Sequence, residues 1–268
     1  MPNELSGGLP PTRLERALMH ERAALIVLVI LLPVVCWSWI VVMARDMYGP
    51  MNGASAWMMT PLWDARHLLL LWTMWAVMMV GMMLPSAAPL LLLYGTAARR
   101  RGLNANAVHE IYALAAGYVT MWSAFSIVAT AAQRLLSTLL IVSPMMTLTS
   151  PAFAAALLAL AGIYQLTPLK STCLRKCQSP LGFMLHHWRS GVGGAFWMGI
   201  DHGGYCLGCC WALMLLLFVG GVMNLTVIAA LTAFVIFEKI APFGVYTTRV
   251  SGGLLIAGSG WMLLASHF

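Results

Sequence analysis

The stretch His67-Leu-Leu-Leu-Leu-Trp-Thr-Met-Trp-Ala-Val-Met-Met-Val-Gly-Met-Met-Leu-Pro-Ser-Ala-Ala-Pro-Leu-Leu-Leu-Leu-Tyr94 contains no Asp, Glu, Lys or Arg. A helix crosses the hydrocarbon core of a bilayer with about 20 mostly apolar residues, so this run is long enough to span one. It does not alternate at period two, which argues against a transmembrane β-barrel. Whole-chain composition points the same way. Of 268 residues, 61% are hydrophobic and 9% charged, with a mean hydropathy of +0.84. A soluble domain carries about 25% charged residues. These values exclude a soluble enzyme, a disordered chain and a rod. The fold class expected is therefore all-α: a polytopic transmembrane helical bundle.

Seven spans are predicted, at 23–44, 67–94, 107–131, 152–169, 195–220, 223–240 and 250–267. Residues 1–22 read as a cytoplasmic leader and 23–268 as a single transmembrane domain. The first span lacks a small-x-small cleavage site, so it is not read as a signal peptide. Twelve of the Lys and Arg residues fall on one side of this layout: those of the leader, Arg99 to Arg101, Lys170, Arg175, Lys176, Arg189, Lys239 and Arg249. Three, Arg45, Arg66 and Arg134, fall on the other. The positive-inside rule then places the N-terminus in the cytoplasm. The net charge of +7 follows from the same loops and gives no cause to invoke nucleic acid. Leu135–Thr149 reads as an amphipathic segment of the outer face, ended by Pro144 and Pro151.

Thiols dominate the candidate chemistry. Asp201-His-Gly-Gly-Tyr-Cys-Leu-Gly-Cys-Cys210 places His202, Cys206 and Cys210 at i, i+4 and i+8, with Cys209 beside them. On a helix these share one stripe. Polar groups inside a membrane segment are costly unless partnered. One helix cannot supply four ligands, because residues 202 to 210 rise about 12 Å and metal bonds are only about 2.0–2.3 Å. Either the helix unwinds at Gly203, Gly204 and Gly208, or other residues contribute. Cys173 and Cys177 are the natural contributors, placed in a loop that the layout makes cytoplasmic. There, reduced thiols lean toward metal or redox chemistry.

The expected metal ligands are thus Cys173, Cys177, His202, Cys206, Cys209 and Cys210, with Met78, Met82 and Asp201 secondary. Thiolate and thioether donors select Cu(I) first and zinc second. The Met74, Met78 and Met82 stripe reads first as core packing, and lone Cys36 as core filler. Met47, Met51, Met58 and Met59 read as soft-metal collectors or as interfacial anchors. Pro85 and Pro89 should kink their helix. His109 and Glu110 open a span, and Asn224 caps one. His186 and His187 read as interfacial packing beside Trp188, and Glu238 with Lys239 as a snorkelling pair or cap, the lesser alternative for Glu238 being to orient a metal ligand from behind. Gly252, Gly253, Gly258 and Gly260 suggest close helix packing.

Two blocks resemble the bacterial "predicted metal-binding integral membrane protein" family, a domain of unknown function. One is Trp75-Ala-Val-Met-Met-Val-Gly-Met-Met-Leu-Pro-Ser-Ala-Ala-Pro89. The other runs from Cys173-Leu-Arg-Lys-Cys177 through His187-Trp-Arg189, Gly191, Gly194-Ala-Phe196, Met198-Gly199, His202-Gly203, Tyr205-Cys-Leu-Gly-Cys-Cys-Trp211, Phe218 and Met223-Asn224 to Glu238-Lys239. The resemblance covers roughly residues 60–260. It implies a multi-pass protein of the bacterial inner membrane that binds metal, and it implies no reaction.

Three functions follow from the residues. The first is handling of copper or zinc, with delivery to another membrane protein or a small companion protein. The second is a non-catalytic subunit or assembly factor of a larger membrane complex. The third is a membrane thiol–disulfide oxidoreductase relaying between Cys206/Cys209 and Cys173/Cys177. No paired carboxylates or Ser/His/Asp arrangement suggests hydrolysis, and no nucleotide loop is present.

Overall fold

The computed structural model describes residues 22–49, 64–100, 107–143, 146–241 and 243–266. Leader residues 1–21, the loop methionines Met51, Met58 and Met59, and Pro144 lie outside the described residues. Among the described residues the architecture is helical, with one isolated bridge between Val142 and Leu148 in place of any strand. In chain order the helices are α1 (Arg22–Met47), α2 (Ala65–Met83), α3 (Ala88–Arg100), α4 (Ala107–Thr138), α5 (Pro151–Leu166), α6 (Pro168–Gln178), α7 (Pro180–His187), α8 (Gly191–Met214), α9 (Leu216–Gly220), α10 (Leu225–Ile240) and α11 (Gly244–Ala265).

Four stretches are long and apolar enough to cross a membrane: Arg22–Met47, Ala65–Ala98, Ala107–Thr138 and Gly191–Gly220. The pair α5 and α6, bent by 65°, makes a fifth if counted as one span. The seven expected spans therefore reduce to four or five. Two features account for the difference. Helix α10 has only 16 residues. It rises about 24 Å, short of a core about 30 Å thick. Helix α11 has 22 residues but carries Thr247, Thr248, Arg249 and Ser251 in its first half and several glycines beyond them.

Local chemistry sets the breaks. Pro85 interrupts its stretch without dividing it into two spans. It opens a single 3-10 turn, Pro85–Ala87, and the chain stays helical from Ala65 to Ala98. The 65° bend lies instead between Leu166 and Pro168. Thr167 is held extended before the proline, as pre-proline residues are. Its hydroxyl caps α6 by accepting from the Lys170 amide at 3.3 Å. Helix α4 continues to Thr138, past the expected end of its span, and the chain then turns through the Val142–Leu148 bridge. Asn224 caps α10 as expected, its Oδ1 accepting from the amides of Thr226 (3.1 Å) and Val227 (3.4 Å).

Helix α8 packs chiefly on α4 and also on α6, α2 packs on α4 and α1, and α11 packs on α5. Although short, α10 touches α1, α2, α6, α8 and α11 and the 3-10 turn. Of the two alternatives for α8, unwinding or ligands from another element, unwinding does not occur. Its helix is continuous through Gly203, Gly204 and Gly208. Glycines in α8 serve close approach instead. A Cβ on Gly199 would overlap the Leu114 carbonyl oxygen, and one on Gly117 of α4 would overlap that of Phe196. In α11 only part of the expected pattern holds. Gly252 meets the backbone of Gly162, whereas Gly253, Gly258 and Gly260 have nothing within 4 Å.

Tryptophan indoles tie neighbouring helices by donating to Gly81 O from Trp37 (3.2 Å), to Ser123 O from Trp72 (3.1 Å) and to Gln133 Oε1 from Trp75 (2.6 Å). Cys36 is buried over Gly81, whose added Cβ would sit 3.0 Å from the Cys36 Cβ, in keeping with a filler role. Gly199→Val should destabilise the bundle by about 1–3 kcal/mol or more, since backbone rather than a flexible side chain must give way. Thermal unfolding in detergent checks this, with Gly253→Val, at an open position, as the control.

Candidate functional site

The thiols of α8 and α6 face each other. Cys206, Cys209 and Cys210 are buried on α8, and Cys173 and Cys177 are half-buried on α6. The sulfurs of Cys209 and Cys177, from different helices, are 3.9 Å apart. Cys209 and Cys210 are 3.3 Å apart. Cys209 also donates to the Cys206 carbonyl at 3.1 Å. Cys173 lies over Gly208, where an added Cβ would be 2.8 Å from its sulfur. Gly208 therefore gives Cys173 room against the α8 backbone. All six cysteines are free thiols.

These contacts form a string of sulfurs rather than a ring. Among the described residues, no group of three or more His, Cys, Asp and Glu side chains converges as an ion cage would. Separations near 3.5–4 Å are the edge of a metal–thiolate polyhedron whose bonds are about 2.3 Å. The Cys177–Cys209 pair, at 3.9 Å, has that spacing.

His202, one turn before Cys206, packs its ring on Phe183 (5.1 Å between centroids) and Tyr118 (5.9 Å). Its Nδ1 is buried without a hydrogen-bond partner. Asp201 has a different partner from the expected one. Its carboxylate pairs with Arg189 at 3.0 Å, on the partly exposed side of α8. The charge that seemed to need a metal is met by that guanidinium. Met78 and Met82 are fully buried in the core cluster with Met74, Met79 and Met83. His187 stacks on Phe183 at 4.6 Å and Trp188 on Tyr94 at 5.2 Å, which fits the packing role read for this segment.

Sequence reading missed the polar half of the site. Lys239 does not snorkel. Its side chain is 7% exposed, and Nζ lies 2.8 Å from the Cys206 sulfur and donates to Ser86 Oγ at 2.8 Å. Ser86 in turn donates to Met83 O at 2.6 Å. The Tyr118 hydroxyl lies 3.0 Å from the Cys206 sulfur and 2.9 Å from Met83 O. Nor does Glu238 cap a helix or snorkel. It is fully buried and pairs with Lys170 at 2.7 Å, and Lys170 is fully buried as well. The available signal was the Glu238-Lys239 dipeptide within an otherwise apolar segment, since intramembrane charges need named partners. Tyr118, Ser86 and Lys170 gave no comparable signal.

The Lys239 ammonium thus has partners within the apolar bundle, the Cys206 sulfur and Ser86 Oγ. Charge-assisted contacts of this kind are also the stronger hydrogen bonds. The arrangement can therefore keep Cys206 ready as a sulfur ligand within an apolar bundle.

A sequence model described as PpoB2, copper chaperone, matches residues 72–262. The chain belongs to this copper chaperone family. The match spans α2 through most of α11 and so includes every cysteine except Cys36. Comparison with curated proteins and with solved structures gives no match. Family membership favours copper over zinc as the ion handled, in keeping with a donor set rich in sulfur.

Three substitutions test this assignment of partners. In a double-mutant cycle, Cys206→Ala and Lys239→Met should show a coupling of about 1–2 kcal/mol by chemical unfolding, as expected for residues in direct contact. Asp201→Asn should change stability by less than about 1 kcal/mol, because its partner is a half-exposed arginine. It should leave Cu(I) affinity unchanged.

Proposed function

We propose that this protein is an integral membrane copper chaperone that holds Cu(I) on the thiols of α6 and α8 and hands it to a partner protein. Cys177, Cys209, Cys210 and Cys206 are the principal ligands, with Cys173 and His202 flanking them and Met78 and Met82 secondary. The observation that carries the reading is the 3.9 Å approach of Cys177 and Cys209 from two separate helices. Sulfur donors from different elements, already at polyhedron spacing, need little rearrangement to share one ion.

Copper enters here as cargo. A soft monovalent ion takes sulfur ligands in preference to water or carboxylate. A string of thiols in contact lets one sulfur take hold of the ion before another releases it. Cys173 and Cys177 lie on the half-buried side of the string, so transfer to a partner runs through them. The partner is a membrane protein or a small companion protein that presents its own soft ligands.

The same proposal places the chain in the bacterial inner membrane with its N-terminus in the cytoplasm. Lys170 and Lys239 drop out of the topological tally because both are buried partners within the bundle. With α5 and α6 counted as one span, nine of the remaining basic residues fall on the N-terminal side and four, Arg45, Arg66, Arg134 and Arg249, on the other.

Anaerobic Cu(I) titration against a chromophoric chelator tests the reading. The purified protein should take up Cu(I), and Cys177→Ser and Cys209→Ser should each weaken it by about tenfold or more, which is about 1.4 kcal/mol. Cys36→Ser should bind as the parent does. A folded preparation that takes no Cu(I) from the chelator, or whose cysteine variants bind as tightly as the parent, overturns the proposal.

A further inference from the structure

The helix that carries Cys173 and Cys177 has little of its own to hold it in place. Helix α6 is 11 residues long and mostly polar: Pro168-Leu-Lys-Ser-Thr-Cys-Leu-Arg-Lys-Cys-Gln178. Isolated helices shorter than about 12–15 residues are marginal in water. Leu174 is its buried apolar anchor. Its other anchors are polar, and they converge on one end of α10. In the first turn, Lys170 Nζ pairs with Glu238 Oε2 at 2.7 Å, with both side chains fully buried. At the last residue, Gln178 Nε2 donates to Glu238 O at 2.9 Å and to Ala241 O at 3.1 Å. Cys173 and Cys177 lie between these two attachments.

Glu238 is itself steered from a third side. Gln165, in the last turn of α5, donates to its Oε1 at 3.4 Å and to Ser251 Oγ of α11 at 3.1 Å. The next residue, Lys239, contacts the Cys206 sulfur on α8. The last turn of α10 thus holds both thiol groups, the pair on α6 through Glu238 and the trio on α8 through Lys239.

A buried ion pair is a poor source of stability, since well-packed apolar residues of similar volume often replace it without loss. Its geometry is directional, however, and an apolar replacement is not. We propose that Lys170 and Glu238, with Gln178, are positioning residues that set the distance between Cys177 on α6 and Cys209 on α8. The purpose assigned to that distance rests on the copper reading. The distance itself is measurable without copper.

The test uses the full chain in lipid nanodiscs, free of metal, with diamide as oxidant. Diamide takes two electrons and two protons from the Cys177 and Cys209 thiols. One sulfur–sulfur bond forms, and the diamide N=N bond is reduced to the hydrazine. Peptide mapping by mass spectrometry follows the disulfide over time. The double variant Lys170→Met with Glu238→Leu should keep the parent's thermal stability yet close the bond about tenfold more slowly, because apolar packing replaces the pair without its direction. The charge-exchanged variant, Lys170→Glu with Glu238→Lys, should recover to within about threefold of the parent rate. Gln178→Ala removes one attachment with less risk to folding and should slow closure measurably.

Closure at the parent rate in both the apolar double variant and Gln178→Ala overturns the proposal. So does a slowing that the charge exchange fails to recover in folded protein, since that marks a role in packing alone. Cu(I) affinity measured on the same samples separates the two readings. Slower closure with unchanged Cu(I) affinity supports the positioning role and overturns the assignment of copper to this thiol pair.

Discussion

A charged side chain taken into this apolar bundle needs its partner within the bundle, and the last turn of α10 is where that constraint is met. Glu238 and Lys239 are adjacent in sequence and carry opposite charges. They do not neutralise one another. Each takes a partner from another helix, Glu238 the ammonium of Lys170 and Lys239 the sulfur of Cys206. Removing either partner would strand a charge in a medium that cannot solvate it. The two contacts therefore lock α6 and α8 to the same short helix. The sulfur string of Cys177, Cys209, Cys210 and Cys206 lies between them.

Backbone chemistry prepares this meeting. Thr167 and Pro168 turn the chain by 65° between α5 and α6, which lays the Cys173/Cys177 helix across α8. Gly208 leaves space for Cys173, and the Tyr164 hydroxyl donates to the Gly208 carbonyl from α5. On the opposite side of α8, Gly199 and Gly117 bring α4 into backbone contact, which places Tyr118 against Cys206. Glycine thus works by admitting neighbours on both sides of α8. The helix stays regular, and its regularity fixes the spacing of its three thiols. On the proposed copper role, cargo that must be released suits ligands in pairwise contact better than a closed cage.

Much of the all-helical architecture and the thiol-rich character of the site was legible in the chain, because both are local properties. Apolar runs without charge announce helices, and Cys206, Cys209 and Cys210 announce a stripe on one face. The count of spans was less legible. Hydropathy reads α10 and α11 as spans from their apolar residues, but α10 stops after 16 residues and α11 interrupts its apolar run with an arginine and hydroxyls. The glycines of α8 left two alternatives open, since Gly203, Gly204 and Gly208 suit a broken helix and a tightly packed one equally well by composition.

The sequence by itself determined that this protein is a helical, sulfur-rich bundle with Cys173 and Cys177 as candidate companions to the α8 thiols. That follows from hydrophobic periodicity and residue spacing, which act within one element. Only the tertiary structure decided that Asp201 belongs to Arg189, that Lys170 and Lys239 are buried, and that Lys239, Tyr118 and Ser86 surround Cys206. Those pairings join residues between 12 and 153 positions apart. Electrostatic partners are chosen by distance in space and by the cost of burying a charge alone, and neither quantity is written in the local order of residues.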